Sequence, residues 1–122
     1  MTSASDLPLV KIIATGGTIA NTAAGRAPFE RILEDVPEAS RHARFEVEEV
    51  SRTGADAFTP DNWLQIGRAV DRALRTQPEL AAVIVPHGTF TAEETAYFLK
   101  LLSPCGRTAS GSSARHSITN LL

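Results

Sequence analysis

Short apolar runs along the chain predict three strands. The segments at 8–14 and 80–86 are mostly apolar and rich in β-branched residues, which predicts strands buried on both faces of a sheet. In the segment 44–52, the apolar side chains of Phe45 and Val47 alternate with charged ones, which predicts a half-exposed strand. We therefore expect this third strand at the edge of a sheet.

Apolar residues three and four positions apart predict three amphipathic helices, over 28–36, 59–74 and 91–102. The second of these has a clear start, because Thr59 can cap a helix and Pro60 suits its first position. Strands and helices therefore alternate along the chain. That order predicts an α/β fold, with a parallel sheet and helices packed on it.

Three segments lack any such periodicity. Residues 1–7 are expected to form a loose leader, and 21–28 a loop rich in Thr, Ala and Gly. Residues 103–122 are rich in Ser, Gly and Arg, which predicts a disordered tail outside a folded domain at 1–102. Because no strand is expected in this tail, the strand at 80–86 would have a free, exposed edge.

Composition narrows the classes of function. The 122 residues suggest one domain, and a net charge of −2 with a pI of about 5.9 favours neither nucleic acid nor an anionic membrane. Cys105 is the single cysteine, and no signal peptide or membrane segment is expected, so we expect a cytoplasmic protein. The three histidines lack metal-ligand spacing, so no metal site is expected.

Threonines stand just beyond both buried strands: Thr15 and Thr18 after the first, Thr89 and Thr91 after the second. If those strands are parallel neighbours, their carboxyl ends open on one crevice. A threonine hydroxyl can act as an acyl-transfer nucleophile where a base activates it and backbone N–H groups hold the oxyanion. A structural turn or an anion site at a helix N-terminus would use the same residues, so all three interpretations of Thr18 stay open.

Other polar and aromatic residues have simpler interpretations. We expect His87 to be a structural hydrogen-bonding residue rather than a base. Trp63 is expected to anchor the core rather than to stack on a ligand. The acidic run at 46–49 is expected to form a solvated strand face.

Two sequence motifs then suggest a family. The runs KIIATGGTIA at 11–20 and VIVPHGTFTAEETAYFL at 83–99 resemble the two signatures of the bacterial-type L-asparaginases. The resemblance covers about 10–101, and the run at 58–60 together with Trp63 also matches the family's spacing. It implies the N-terminal part of an asparaginase-like domain, with the three layers of a Rossmann- or flavodoxin-like fold.

The resemblance also implies an activity. Family members hydrolyse L-asparagine or a related side-chain amide to the acid and ammonia, in amino acid metabolism, without a cofactor. On this chain it implies Thr18 as the nucleophile and Thr89 as the second catalytic threonine. The full-length family proteins form homo-oligomers. Five further positions are assigned to substrate binding: Thr15, Gly17, Asp56, Gly88 and Phe90.

Several positions depart from the family pattern. Phe90 stands in place of an aspartate that binds the substrate's α-amino group, Pro86 in place of a threonine, and Ala55 in place of a serine that holds the α-carboxylate. These are the positions that select the substrate, so the identity of the amide stays open. Losing the aspartate would harm an amide without an α-amino group less than it harms asparagine.

The lysine of the family's catalytic triad has no counterpart, because neither Lys11 nor Lys100 lies in a matching context. We therefore expect a truncated or frame-shifted chain with little or no activity of its own. The alternatives are a non-catalytic remnant and a small-anion-binding α/β module.

Overall fold

The computed structural model describes residues 6–15, 21–22, 25–26, 28–51, 58–102 and 117–119. The strands are β1 (Leu9–Ala14), β2 (Asn21–Thr22), β3 (Gly25–Arg26), β4 (Arg44–Glu49), β5 (Leu80–Ile84) and β6 (Ser117–Thr119). The helices are α1 (Phe29–Glu34), α2 (Pro60–Thr76) and α3 (Ala92–Leu102), with short 3-10 turns at Ala39–Arg41 and Thr89–Thr91.

The main sheet has the strand order β4-β1-β5-β6, and every neighbouring pair is parallel. Ile12 in β1 lies opposite Val47 of β4 and Ile84 of β5. The parallel α/β fold predicted from the sequence is confirmed, and so is the edge position of the strand that carries Phe45 and Val47.

The chain leaves neighbouring strands of this sheet in opposite directions. From β1 it runs through α1 to β4, on one side, and from β5 it runs through α3 to β6, on the other side. In open α/β sheets, ligands bind outside the carboxyl ends of the strands at such a reversal. The fold alone therefore indicates a crevice between the ends of β1 and β5.

The hydrophobic core lies between β1, β5 and the inner faces of α2 and α3. Ile13, Ile66 and Val83 are fully buried there, and burying each such side chain contributes about 1.5–3 kcal/mol. The core cluster consists of Leu9, Ile13, Ile66, Ala69, Val70, Ala73, Leu80, Val83, Val85 and Leu99. On the opposite face of β1, Val10 and Ile12 are buried as well, which confirms a first strand covered on both sides.

Helix α2 begins at the residue that the sequence indicates. The Thr59 backbone N–H donates to the side-chain oxygen of Asn62, over 2.8 Å, and Pro60 occupies the first helical position. Thr59 and Asn62 form a capping box, which satisfies N–H groups that have no partner inside the helix.

Two parts of the fold differ from the sequence prediction. Within the segment 21–28, taken as a loop, β2 and β3 form a short antiparallel hairpin in which Asn21 lies opposite Arg26. Within the tail, taken as disordered, β6 pairs in parallel with β5, so the expected free edge of β5 is covered at 82–84. All three strands, β2, β3 and β6, are too short to produce apolar alternation, which explains why the sequence pattern missed them.

The acidic run on β4 is also different from the prediction of a solvated face. In the parallel register, Lys11 lies opposite Glu46, and its Nζ atom is 3.3 Å from Glu48 and 3.2 Å from the Gln77 side-chain oxygen. Arg72 of α2 pairs with Glu48 too. The Lys11 side chain is only 16% exposed, so these contacts form a half-buried charge network that joins the edge strand to α2.

Candidate active site

The ends of β1 and β5 are joined directly by a side chain. Thr15, the residue after β1, donates its hydroxyl hydrogen to the Pro86 carbonyl oxygen, over 2.6 Å. The two residues are 71 positions apart in the chain, and both are buried. The turns that follow β1 and β5 therefore begin side by side, which is the arrangement on which the acyl-transfer hypothesis depends.

Thr15 itself is placed to hold the turns rather than to react. Its side chain is 2% exposed, and its hydroxyl hydrogen is already donated to Pro86. A contact with substrate from this hydroxyl would have to use an oxygen lone pair. The assignment of Thr15 to substrate binding stays a prediction, whereas its role in joining the turns is observed.

A chain of polar groups supports the turn after β5. His87 is buried, with Nδ1 2.7 Å from the Gly88 carbonyl oxygen and Nε2 2.9 Å from the Thr95 hydroxyl. The Trp63 indole N–H donates to the same hydroxyl over 2.8 Å. We call this series, from the Trp63 indole to the Gly88 carbonyl, the polar relay.

The chemistry of the groups fixes which atom donates and which accepts at the two ends of the polar relay. An indole N–H can only donate, and a carbonyl oxygen can only accept. Nδ1 of His87 therefore carries a hydrogen, which it donates to Gly88. His87 Nε2 lies 2.9 Å from the Thr95 hydroxyl, and a ring with its hydrogen on Nδ1 lets that hydroxyl donate to Nε2. This confirms His87 as a structural hydrogen-bonding residue.

Aromatic rings enclose the same turn. The Phe58 ring meets the His87 ring edge-on at a centroid distance of 4.8 Å, an arrangement that aromatic pairs favour. Trp63 lies 6.4 Å from both Phe58 and Phe98, measured between ring centroids. Trp63 is half-buried and packed among rings beside the turn, outside the core cluster given above, so its role as a core anchor stays a prediction; its N–H serves the polar relay.

The structure describes only part of the predicted site. Gly88 is half-buried beside His87, and Thr89 begins the 3-10 turn that leads into α3. Phe90 is 76% exposed, the most exposed of the large apolar side chains that the structure describes. Thr18, Gly17 and Asp56 lie outside the described residues, so their assignments stay predictions.

Sequence reasoning missed Thr95, which is 1% exposed and central to the polar relay. One signal was available, since Thr95 shares the inner face of α3 with Ala92 and Leu99. A hydroxyl on an otherwise apolar, buried helix face needs a hydrogen-bonding partner. That partner comes from other elements, and the helical pattern does not identify it.

The described residues contain no group of three or more His, Cys, Asp and Glu side chains placed to hold a metal ion. Among the same residues, no helix combines the length and the apolar character needed to span a bilayer.

Comparison with known proteins adds to this geometry. A family model described as "Asparaginase, N-terminal" matches residues 9–108, which is most of the chain. The chain belongs to the asparaginase family. The match runs six residues beyond the domain end predicted at 102, so that boundary stays a prediction.

Individual asparaginases agree with this assignment. The chain is 33% identical over 112 residues to a probable periplasmic L-asparaginase of Haemophilus influenzae, covering 84% of this chain and 31% of that protein. It is 36% identical over 103 residues to a glutaminase-asparaginase of Pseudomonas aeruginosa, covering 76% of this chain and 28% of the relative.

A solved asparaginase structure shows the same fold. The crystal structure of a probable cytoplasmic L-asparaginase from Campylobacter jejuni superposes with a TM-score of 0.68 at 28% identity, over 75% of this chain and 28% of that one. The chain thus spans about three tenths of the length of these asparaginases.

Proposed function

We propose that the crevice beyond β1 and β5 belongs to a side-chain amide hydrolase in which Thr18 is the nucleophile and Thr89 assists. The observation that carries this proposal is the hydrogen bond from Thr15 to Pro86, which holds the two threonine-bearing turns together. Membership of the asparaginase family supports the type of reaction. The assignments of Thr18 and of the Thr89 side chain rest on the sequence motifs.

The proposed reaction has two steps and needs only water as co-reactant. The Thr18 oxygen attacks the amide carbonyl carbon and loses its proton to a base, which passes that proton to the amide nitrogen as the C–N bond breaks and ammonia leaves. Water attacks the resulting acyl-threonine ester, which releases the acid and restores the hydroxyl. Backbone N–H groups in the glycine-containing turns are suited to hold the oxyanion of each step.

Two obvious candidates for the base are already engaged. Both ring nitrogens of His87 take part in the polar relay, and Lys11 is paired with Glu48. Because a neutral hydroxyl is a weak nucleophile without a base, we expect slow or absent turnover by this chain alone. Acylation of Thr18 is also slowed, but trapping the acyl-threonine detects even a single slow turnover, so it is a more sensitive test than steady-state ammonia release.

Phe90 supports a particular class of substrate. The family carries an aspartate at this position for the substrate's α-amino group, whereas here a phenyl ring is exposed beside Thr89. A site without this carboxylate cannot pair with an ammonium group. We therefore expect an amide that lacks the α-amino group, such as succinamate, to be used at least as well as asparagine.

The experiment is acyl trapping on the full chain. The protein is incubated with L-asparagine, L-glutamine or succinamate, quenched in acid and digested, and the peptide that contains Thr18 is analysed by mass spectrometry. We expect one acyl group on Thr18, removable by hydroxylamine. The label should be lost in Thr18→Ala and kept in Thr22→Ala, a matched control on a threonine outside the motif.

Absence of the label with all three amides would contradict the hydrolase proposal. Calorimetric titration with phosphate and with succinate then separates the alternatives. Phosphate binding alone would favour an anion-binding module, and no binding of either would favour a non-catalytic remnant. The variant Phe90→Asp adds an internal check, because it should shift labelling from succinamate towards asparagine by about tenfold or more.

Two further parts of the proposal concern context. We propose a cytoplasmic location, as the sequence suggests, and a homo-oligomer for full-length members of the family, as the resemblance implies. The named relatives include one described as periplasmic and one as probably cytoplasmic, so the location must be measured by cell fractionation. Sedimentation of the purified chain reports the oligomeric state.

A further inference from the structure

The polar relay connects three separate elements to one peptide bond. Trp63 lies in α2, Thr95 in α3, and His87 in the turn after β5. The relay ends on the Gly88 carbonyl oxygen, which belongs to the peptide that links Gly88 to Thr89. The family resemblance assigns no contact with substrate to the three side chains of the polar relay, Trp63, Thr95 and His87.

A hydrogen bond to one end of a peptide group fixes the other end. The peptide is planar, and in its trans form the carbonyl oxygen and the N–H point in opposite directions. Holding the Gly88 oxygen towards His87 therefore turns the Thr89 N–H away from the buried imidazole and fixes the plane of the peptide from which the Thr89 Cα extends. The direction in which Thr89 enters its 3-10 turn is set by this contact.

The state of the imidazole decides whether the contact exists. A hydrogen on Nδ1 is required, and a Thr95 hydroxyl that donates to Nε2, 2.9 Å away, would favour that tautomer. The Thr95 hydroxyl is in turn oriented by the Trp63 indole, which occupies one of its lone pairs. In this series the Trp63 indole only donates and the Gly88 carbonyl only accepts. The Thr95 hydroxyl and the His87 ring lie between them, and each can accept one hydrogen bond and donate another.

The backbone alone does not explain this arrangement. Gly88 has φ −67° and ψ 147°, an extended conformation that any residue can adopt, so the turn is not fixed by a glycine-only geometry. The Thr15 contact holds Pro86, two residues earlier in the chain. Among the described contacts, the polar relay therefore sets the orientation of the peptide that links Gly88 to Thr89.

We propose that Trp63, Thr95 and His87 are positioning residues, which act through the Gly88 carbonyl to orient Thr89 in the crevice. The proposal deepens the hydrolase assignment and rests on it for its catalytic meaning. Its structural content can be measured without any substrate, so the two proposals can fail separately.

The first measurement is NMR of the full, unmodified chain. Nitrogen-15 shifts of the His87 ring should report a hydrogen on Nδ1 and an unprotonated Nε2 at neutral pH. A ring with its hydrogen on Nε2 would overturn the proposal, whatever the acyl-trapping experiment gives. If Thr18 carries the acyl label but the His87 hydrogen lies on Nε2, the hydrolase proposal is supported and the positioning proposal is refuted.

The second measurement compares two substitutions of one residue. Thr95→Val keeps the shape but removes the hydroxyl, whereas Thr95→Ser keeps the hydroxyl. In Thr95→Val we expect the Nδ1–H form to lose its dominance and the proton and nitrogen-15 shifts of the Thr89 amide to change, because the Gly88–Thr89 peptide loses its fixed orientation. Thr95→Ser should restore both readouts.

A purely structural role predicts a different pattern. It would raise the exchange of core amides such as Val70 in proportion to the loss of global stability measured in urea, and would leave the His87 tautomer and the Thr89 amide shift as they were. That outcome would refute the positioning role. If Thr95→Val fails to fold, Trp63→Phe removes the first donor while keeping a ring, and the same comparison of amide shifts applies.

The relay also makes a catalytic prediction. If acyl label forms on Thr18, its rate of formation should fall by about tenfold in Thr95→Val, in line with the loss of one orienting hydrogen bond, and recover in Thr95→Ser. Equal rates in the two variants would contradict the positioning role while leaving the hydrolase intact.

Discussion

At the scale of single residues, Thr15 decides how the candidate site is held together. Its single hydroxyl group joins the ends of two strands, β1 and β5, that are distant in the chain. The Pro86 carbonyl that accepts the bond is buried, so it has no water to replace a lost partner. Removal of the hydroxyl should therefore cost more than removal of an exposed one.

This difference can be measured with Thr15→Val, which keeps the shape of the side chain. We expect a loss of about 1–3 kcal/mol in the free energy of unfolding, measured in urea, because a buried carbonyl is left unpaired. Thr76→Val is the matched control, since Thr76 donates to the Arg72 carbonyl at an exposed position. A loss of equal size in both variants would show that burial of the bond contributes nothing.

At the scale of elements, α2 and α3 approach closely at Gly67. A Cβ atom at this position would lie 2.6 Å from Leu102 Cδ1 and 3.2 Å from Phe98 Cε1. Leu102 ends α3 and is partly exposed, so its tip can move, whereas the Phe98 ring is half-buried. The absence of a side chain at Gly67 is thus a packing requirement of the helix pair.

Gly67→Val should overpack this contact. We expect a loss of about 1–3 kcal/mol in unfolding free energy, measured in urea, from shifted side chains. Adding Phe98→Leu should recover part of the loss, because it removes the half-buried ring whose Cε1 atom the new Cβ would meet at 3.2 Å. Strictly additive effects in the double variant would contradict the predicted clash.

The charge network between β4 and α2 is a second feature at the element scale. Lys11→Met would remove the cation that lies beside both Glu46 and Glu48, and would leave Glu48 with Arg72 alone. We expect a loss of about 1 kcal/mol at low salt that shrinks in 1 M NaCl, where charges are screened within about 3 Å. Arg75→Met, which removes an exposed pair with Asp71, should change stability by less than about 0.5 kcal/mol.

At the scale of the whole molecule, the strand order places the crevice and leaves β6 as the cover of the β5 edge. That cover is three residues long and lies at 117–119. An unpaired strand edge is a template for pairing with another chain. The tail therefore bears on self-association, independently of any chemistry.

Deletion of 103–122 tests this arrangement. We expect stronger concentration-dependent light scattering and a lower melting temperature, because β5 loses a neighbouring strand. Deletion of 120–122 alone keeps β6 and should leave both quantities unchanged. If both deletions behave like the full chain, the tail lies outside the folded unit, as the sequence pattern suggests.

The fold was more predictable from the sequence than the site. Strands at 8–14 and 80–86 and the cap at Thr59 are local patterns, so periodicity and turn chemistry identify them. The contacts made by Thr15 and Thr95 join residues from separate elements, so no local pattern contains them. Lys11 shows the same limit, because its charge is explained only by the register of β1 with β4.

The bond between Thr15 and Pro86 also has a consequence for the order of folding. Its partners are 71 residues apart, so a long loop must close before the bond can form. Contacts between distant residues slow the search for the native state. On the ribosome, β1 would emerge well before β5 and wait for it, since synthesis runs at about 5–20 residues per second. The crevice is therefore among the late products of folding.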